Sequence, residues 1–262
     1  MRRKIAMGLV LCLSVAFAGC GEKKDDTSKQ EPKKMMVLAA ASLTDALTEI
    51  KESYEQTQDD YVLEFAFDSS GTLKKQIEQG VDADVFLSAS KLPMDELLEE
   101  GLVEKETMVD LLKNEIVLIS NSKEASPITS FEELVTSDQV DMIATCMKEV
   151  PIGQYTIQLY ENLGLQDKLA AKANYASNVR QVLDWVASGN AKYGIVYATD
   201  AAVEEGVKVQ AVADSSLYDP VIYPAAVVSA SQQKEGADAF LEYLKSDTAK
   251  EVFKKYGFET VS

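Results

Sequence analysis

The stretch VLAAASLTDAL, residues 37–47, runs from small apolar residues into a helical pattern, with Ser42 at the junction. An unbroken apolar run marks a strand covered on both faces, in contrast to the alternation of a half-exposed one. Beyond Ser42 the period changes. Leu43, Ala46, Leu47, Ile50 and Tyr54 recur at spacings of three and four, which predicts a helix over 43–56 packed by one face on the strand. The same order returns along the chain. YVLEFAF (61–67) leads into DSSGTLKKQIEQG (68–80), where Leu73, Ile77 and the closing Gly80 mark a second helix. ADVFLSA (83–89) leads into MDELLEEG (94–101), and NEIVLIS, VDMIAT, KYGIVYAT and YPAAVVS supply four further strands. Helices are expected at YTIQLYENLG, at NVRQVLDWVASG and over one final segment, 236–258. Strands alternating with amphipathic helices predict an α/β protein with largely parallel sheets.

Composition narrows the chemistry. The 262 residues, 46% of them apolar, can bury one large core or two modest ones. The 43 acidic residues against 26 basic ones give a formal charge of −17, which repels a phosphate backbone and argues against nucleic-acid binding. The chain has no histidine. Ser-His-Asp and Cys-His catalysis and histidine-based zinc sites are thereby excluded, and an enzyme is not expected.

The N-terminus is a separate segment. MRRK is positively charged, IAMGLVLCLSVAFA is an apolar stretch too short to span a bilayer comfortably, and AFAGC ends it in small residues before Cys20. This order predicts a secretory signal over 1–19. Its end resembles a bacterial lipobox, which implies cleavage before Cys20 and a diacylglyceryl thioether on that sulfur. Residues 20–35, polar and without periodicity, are expected to act as a flexible tether from a lipid anchor. Cys12 would leave with the signal, and Cys146 then stands alone, so no intramolecular disulfide is expected.

Two strand-to-helix junctions share a feature. Ser42 follows the first strand; Ser69 and Ser70 follow the second, in the motif SSGT. A serine at such a place can cap the helix by accepting from an orphan amide. Alternatively, both helix starts present N–H groups and hydroxyls toward one crevice, forming an anion site at the carboxyl ends of the strands. Gly71 would let a bound oxygen approach the backbone, and Thr72 can cap. Asp45, Asp68 and Asp82 read as caps and solvated turns, because a carboxylate beside a bound dianion would repel it.

Taken in order, AAASLTDAL, SSGTLKKQIEQGVDADVFLSAS, VPIGQYT, NVRQVLDWVASGNAKYGIVYATDA, YPAAVV and FKKYGF resemble the molybdate-binding proteins of bacterial ABC transporters, from about residue 36 to residue 258. The resemblance implies a type II periplasmic-binding-protein fold: two α/β lobes joined by crossovers, with a ligand cleft between them. It implies lobe I at 36–115, with 224–262 returning to it, and lobe II at 116–223. Ligand contacts carry over to Ser42 and Ser70 by hydroxyl and backbone, to the backbone amides of Ile152 and Val179, and to the hydroxyl of Tyr197. The implied ligand is molybdate or tungstate, held without a cofactor and without residues that ligate a metal cation. The implied protein is a monomeric, extracytoplasmic receptor, anchored to the cell membrane through Cys20, that delivers the anion to an ABC permease. A same-fold receptor for sulfate or thiosulfate is the alternative.

The sequence departs from the family at ATCMKEVPIGQY (144–155): Thr145, Cys146 and Met147 stand where a Gly-Asp-Pro turn is usual, and Ile152 where alanine is common. A β-branched side chain there is expected to narrow the pocket. Cys146 reads as a small buried apolar residue. SASK (88–91) and SNSK (120–123) match the serine-lysine spacing of penicillin-recognizing enzymes, but neither S-D-N nor K-T-G accompanies them.

Overall fold

A computed structural model describes residues 31–261. The expected signal (1–19), Cys20 and the tether up to residue 30 lie outside the described residues.

Eleven strands form two sheets among the described residues. They are β1 (Lys33–Ala40), β2 (Tyr61–Asp68), β3 (Val85–Leu87), β4 (Val109–Asn114), β5 (Ile116–Asn121), β6 (Ile143–Cys146), β7 (Ala173–Ala176), β8 (Tyr193–Tyr197), β9 (Val207–Val212), β10 (Val221–Val227) and β11 (Glu259–Thr260). The helices are α1 (Thr44–Glu55), α2 (Ser70–Glu78), α3 (Lys91–Glu99), α4 (Phe131–Thr136), α5 (Pro151–Asn162), α6 (Gln166–Lys172), α7 (Val179–Ala187), α8 (Ala198–Ala202), α9 (Lys234–Leu244) and α10 (Asp247–Lys255).

One sheet has the order β11-β4-β10-β3-β1-β2, the other β7-β6-β8-β5-β9. The chain changes sheets between Asn114 and Ile116 and returns between Val212 and Val221. The first sheet is covered on both faces. Met35, Val37 and Ala39 join the core with α1, α9 and α10, while Leu38 and Phe86 pack with Leu73 and Ile77 of α2 and Met94 and Leu97 of α3. This two-sided burial is why residues 37–41 carry no polar alternation. The stripe foreseen on α1 faces inward, with Ala46, Leu47, Ile50 and Tyr54 buried, and Tyr54 meets Phe240 and Tyr243 of α9 edge to face.

The expectation of largely parallel sheets is corrected. The β1–β2, β1–β3, β6–β7 and β6–β8 pairs are parallel, but β10 runs antiparallel to β3 and β4, β11 antiparallel to β4, and β5 antiparallel to β8 and β9. The sequence pattern missed the half-exposed or short strands that β4, β7, β9 and β11 form, since a continuous apolar run is what makes a strand visible. The final segment is two helices. Ser246 ends the first and caps the second, accepting from the Ala249 amide at 3.2 Å.

Candidate functional site

Four helix starts converge on one small pocket. At the first, β1 passes through a 3-10 turn (Ala41–Leu43) into α1, and Ala40, Ala41 and Ser42 line the pocket. Ser69 and Ser70 begin α2, Val150 to Ile152 begin α5, and Val179 begins α7. Asp68, Ala89 and Tyr197 complete the lining. The five residues singled out as ligand contacts, Ser42, Ser70, Ile152, Val179 and Tyr197, therefore meet at one place, drawn from both sheets. Within the first turn of α5 and α7 the amides have no intrahelical acceptor, so those of Ile152 and Val179 are available there.

The serines divide the roles that the sequence left open. Ser69 is the cap of α2, accepting from the Thr72 amide at 3.2 Å, and its hydroxyl also meets that of Thr72 at 2.8 Å. Ser42 and Ser70 cap nothing. The Ser70 hydroxyl accepts from the Ala89 amide at 2.9 Å, and that of Ser42 lies 2.9 Å from the Tyr223 hydroxyl. Both side chains are buried. Tyr197 differs from them: it is 1% exposed, yet its hydroxyl has no hydrogen-bond partner among the described residues. Burial pushes its phenol well above the ordinary value, so it stays protonated and able to donate.

Among the described residues no lysine or arginine lines the pocket, and Asp68 is its one charged residue. Asp68 Oδ1 accepts from the Ser69 amide at 2.7 Å and from the Asn178 side chain at 3.3 Å. Arg180, one residue beyond Val179, is engaged by carboxylates from two helices: its guanidinium stands 2.6 Å from Asp45 and 2.8 Å from Asp200 as ion pairs. Asp200 is fully buried. Burial raises its carboxyl to about 6 against the opposing pull of Arg180. The reading of Asp45 as a cap or solvated turn is thus corrected, since its partner is a cation 135 positions away that sequence spacing does not reveal. Asp82 is exposed, as a solvated turn residue would be.

The glycines set how closely backbone meets backbone. A Cβ on Gly71 would fall 2.2 Å from the Glu149 carbonyl oxygen, so this glycine admits a protein carbonyl from the segment before α5. A Cβ on Gly153 would fall 2.1 Å from the Met147 carbonyl. The stretch that departs from the family forms a hydrogen-bonded turn, with the Val150 amide donating to Met147 and the Met147 amide to Ala176. Ile152 is helical, and its side chain is buried at the pocket wall. Cys146 is buried, and burial pushes its thiol up. The serine-lysine spacings form no catalytic pair: Ser88 donates to the Ser90 carbonyl at 2.7 Å while Lys91 pairs with Asp110 at 2.7 Å, and Ser120 is bonded to Gln210 at 2.8 Å.

Residues 35–259 match the family model described as bacterial extracellular solute-binding protein. The chain is 37% identical over 241 residues to YvgL of Bacillus subtilis, covering 92% of each chain; that protein's name carries the provisional description ABC transporter substrate-binding lipoprotein. It is also 37% identical over 231 residues to the molybdate-binding protein ModA of Haemophilus influenzae, covering 86% of this chain and 89% of that one. Among solved structures, the periplasmic molybdate-binding protein of Azotobacter vinelandii superimposes with a TM-score of 0.78 at 20% identity, over 87% of this chain and all of the other, a likeness of fold alone. With its two mixed sheets, its paired crossovers and these relatives, the chain has a type II periplasmic-binding-protein fold and belongs to the bacterial extracellular solute-binding proteins, within the molybdate-binding family of ABC transporters.

Proposed function

We propose that this protein binds molybdate, and also tungstate, between the two sheets and hands it to an ABC permease, without catalysing a reaction. The single observation behind this reading is the Tyr197 hydroxyl: a buried donor without a partner among the described residues, at a pocket where four helix starts meet and which Ser42 and Ser70 also line. A buried unsatisfied hydroxyl costs about 1–3 kcal/mol, which an acceptor in the pocket would offset. Anions suit helix N-termini, and uncharged donors replace hydration without a cation that would hold every anion alike. Each hydrogen bond to a charged ligand contributes roughly 1.5–3 kcal/mol, so several together reach a Kd in the range of about micromolar to nanomolar. The relatives named for molybdate support the choice of ion.

In this reading the segments 36–115 and 224–262 form one lobe and 116–223 the other, and they close over the anion with Gly71 against Glu149. The protein acts as a monomer outside the cytoplasm, held to the membrane by lipid on Cys20. A Cys20→Ala change should release it from the membrane fraction.

Thermal unfolding of residues 22–262 with molybdate, tungstate, sulfate and phosphate titrated separately tests the ligand. At 100 times its Kd a true ligand adds about 2.7 kcal/mol of stability. Stabilisation by molybdate and tungstate is expected; stabilisation by sulfate alone would replace the ligand, and stabilisation by none would leave the fold without this function.

A further inference from the structure

The oxyanion reading leaves one question that the pocket lining does not answer. A serine hydroxyl both donates and accepts, so Ser42 would serve a protonated anion as readily as a bare one unless its hydrogen is directed. Behind Ser42 runs a chain of polar groups, from the exposed Glu115 through half-buried Asn114 to buried Tyr223. The Glu115 amide donates to Asn114 Oδ1 at 2.9 Å. A backbone N–H can only donate, so the atom beside it must be the amide oxygen, and Asn114 Nδ2 is left facing the other way. Its two hydrogens go to Thr199 Oγ1 at 2.8 Å and to Tyr223 Oη at 3.1 Å. Tyr223 Oη, having accepted, has one hydrogen to give, and Ser42 Oγ lies 2.9 Å from it. Tyr223 is 1% exposed, and burial pushes its phenol well up, so that hydrogen is retained.

We infer that Asn114 and Tyr223 are positioning residues that fix the specificity of the pocket: they polarise a one-way hydrogen-bond chain so that Ser42 accepts from the protein and donates only to the ligand. Ser70 is fixed the same way by a different donor, because its hydroxyl accepts from the Ala89 amide. Both serines then turn their hydrogens to the pocket, with one lone pair of each oxygen engaged by the protein. A fully deprotonated oxyanion such as molybdate satisfies them. Hydrogen phosphate brings a hydrogen that must compete for serine oxygens already accepting from the protein while their own hydrogens point at the ligand, and a poorly paired buried donor is what separates close analogues most strongly. Asn114 ends β4 at the crossover between sheets, and Thr199 lies on α8 beyond the second sheet, so the polarity of Ser42 is set where the two sheets join.

This inference rests on the oxyanion reading, and two measurements keep their failures apart. Calorimetric titration of the whole chain with molybdate and with hydrogen phosphate compares the wild type with Tyr223→Phe, Asn114→Asp and, as a control, Tyr160→Phe. Tyr160 has an equally buried hydroxyl that donates to the Phe131 carbonyl and lines no part of the pocket. Tyr223→Phe frees the Ser42 hydrogen to turn, and about a tenfold loss of molybdate affinity is expected with a smaller loss for hydrogen phosphate. Asn114→Asp replaces the donor by an acceptor and reverses the chain, so the molybdate-to-phosphate affinity ratio should fall further, by about 100-fold. Added negative charge alone would weaken both dianions alike and leave the ratio unchanged. Tyr160→Phe should leave the ratio as in the wild type. An unchanged ratio in both Tyr223→Phe and Asn114→Asp overturns the inference.

Neutron diffraction on deuterium-exchanged wild-type crystals reads the chain without any ligand. A deuteron on Tyr223 Oη pointing at Ser42 supports the inference even if molybdate fails to bind; a deuteron on Ser42 pointing at Tyr223 overturns it whatever the anion.

Discussion

On the six-stranded side of the pocket, the hydroxyls of Ser42 and Ser70 already hold protein partners, Tyr223 and the Ala89 amide, each at 2.9 Å. On the five-stranded side, the Tyr197 hydroxyl has no partner, and Ile152 and Val179 present first-turn amides without intrahelical acceptors. One side is organised by the protein itself and the other by what enters the pocket. Hydroxyl deletions should therefore separate: on the first side they also disturb the ligand-free fold, and on the second they disturb binding alone.

The sharpest break between the sides is Gly71→Ala. Alanine favours a helix over glycine by about 1 kcal/mol, so α2 should tolerate it, but its Cβ would collide with the Glu149 carbonyl from across the pocket. Molybdate affinity is expected to fall more than about 100-fold, roughly 2.7 kcal/mol, with ligand-free melting little changed. Calorimetric titration beside a thermal melt decides it, and unimpaired binding would show that this contact has no part in closure.

Next in size is the pair Tyr197→Phe and Ser42→Ala. Each removes one hydrogen bond to a charged ligand, so affinity should drop by about 10- to 100-fold in both. In denaturant unfolding without ligand they part. Tyr197→Phe deletes an unpartnered hydroxyl and should not destabilise, whereas Ser42→Ala deprives Tyr223 of its partner and should cost about 1 kcal/mol. Equal ligand-free stabilities for the two variants would erase the difference drawn between the sides.

Smaller still is Ile152→Val. Its expected contribution is a backbone amide, so affinity should stay within about threefold while stability falls by roughly 0.5–1.5 kcal/mol from the lost buried methyl.

The last test concerns charge around Arg180. The Asp200 carboxyl is raised to about 6 in the folded chain from 3.8. The folded state thus binds that proton more tightly than the unfolded state, and the associated stability is fully present below about 3.8 and lost as pH rises through about 6. Between pH 7 and pH 4 the wild type should gain stability relative to Asp200→Asn, read as the difference between two denaturation series. A difference that is flat with pH would mean that burial does not hold this carboxyl up.

Legibility in the sequence followed the range of each signal. The strand at β1 and the stripe on α1 were readable because they depend on period, a property of neighbours in sequence. The strands β4 and β9 were not, because half-burial breaks the apolar run, and the antiparallel insertion of β10 between β3 and β4 depends on partners far along the chain. The site residues were reached through resemblance. Ser42 alone suggested either a cap or a contact, and only its distance from Tyr223 showed that it caps nothing. Arg180, Asp45 and Asp200 were unreadable as a group, since their ion pairing joins residues from three helices.

The sequence by itself determined the α/β class, the absence of histidine chemistry, the acidic charge that disfavours nucleic acid, and the existence of most of the helices, though not the start of α5 at Pro151. Those follow from composition and local periodicity, which need no knowledge of distant contacts. Tertiary structure alone decided which serine caps and which faces the pocket, which glycine admits a carbonyl from the other side, and which way the hydrogen bonds behind Ser42 run. Each of these depends on what lies within about 3 Å in space, the reach of a hydrogen bond, and sequence separation does not encode it.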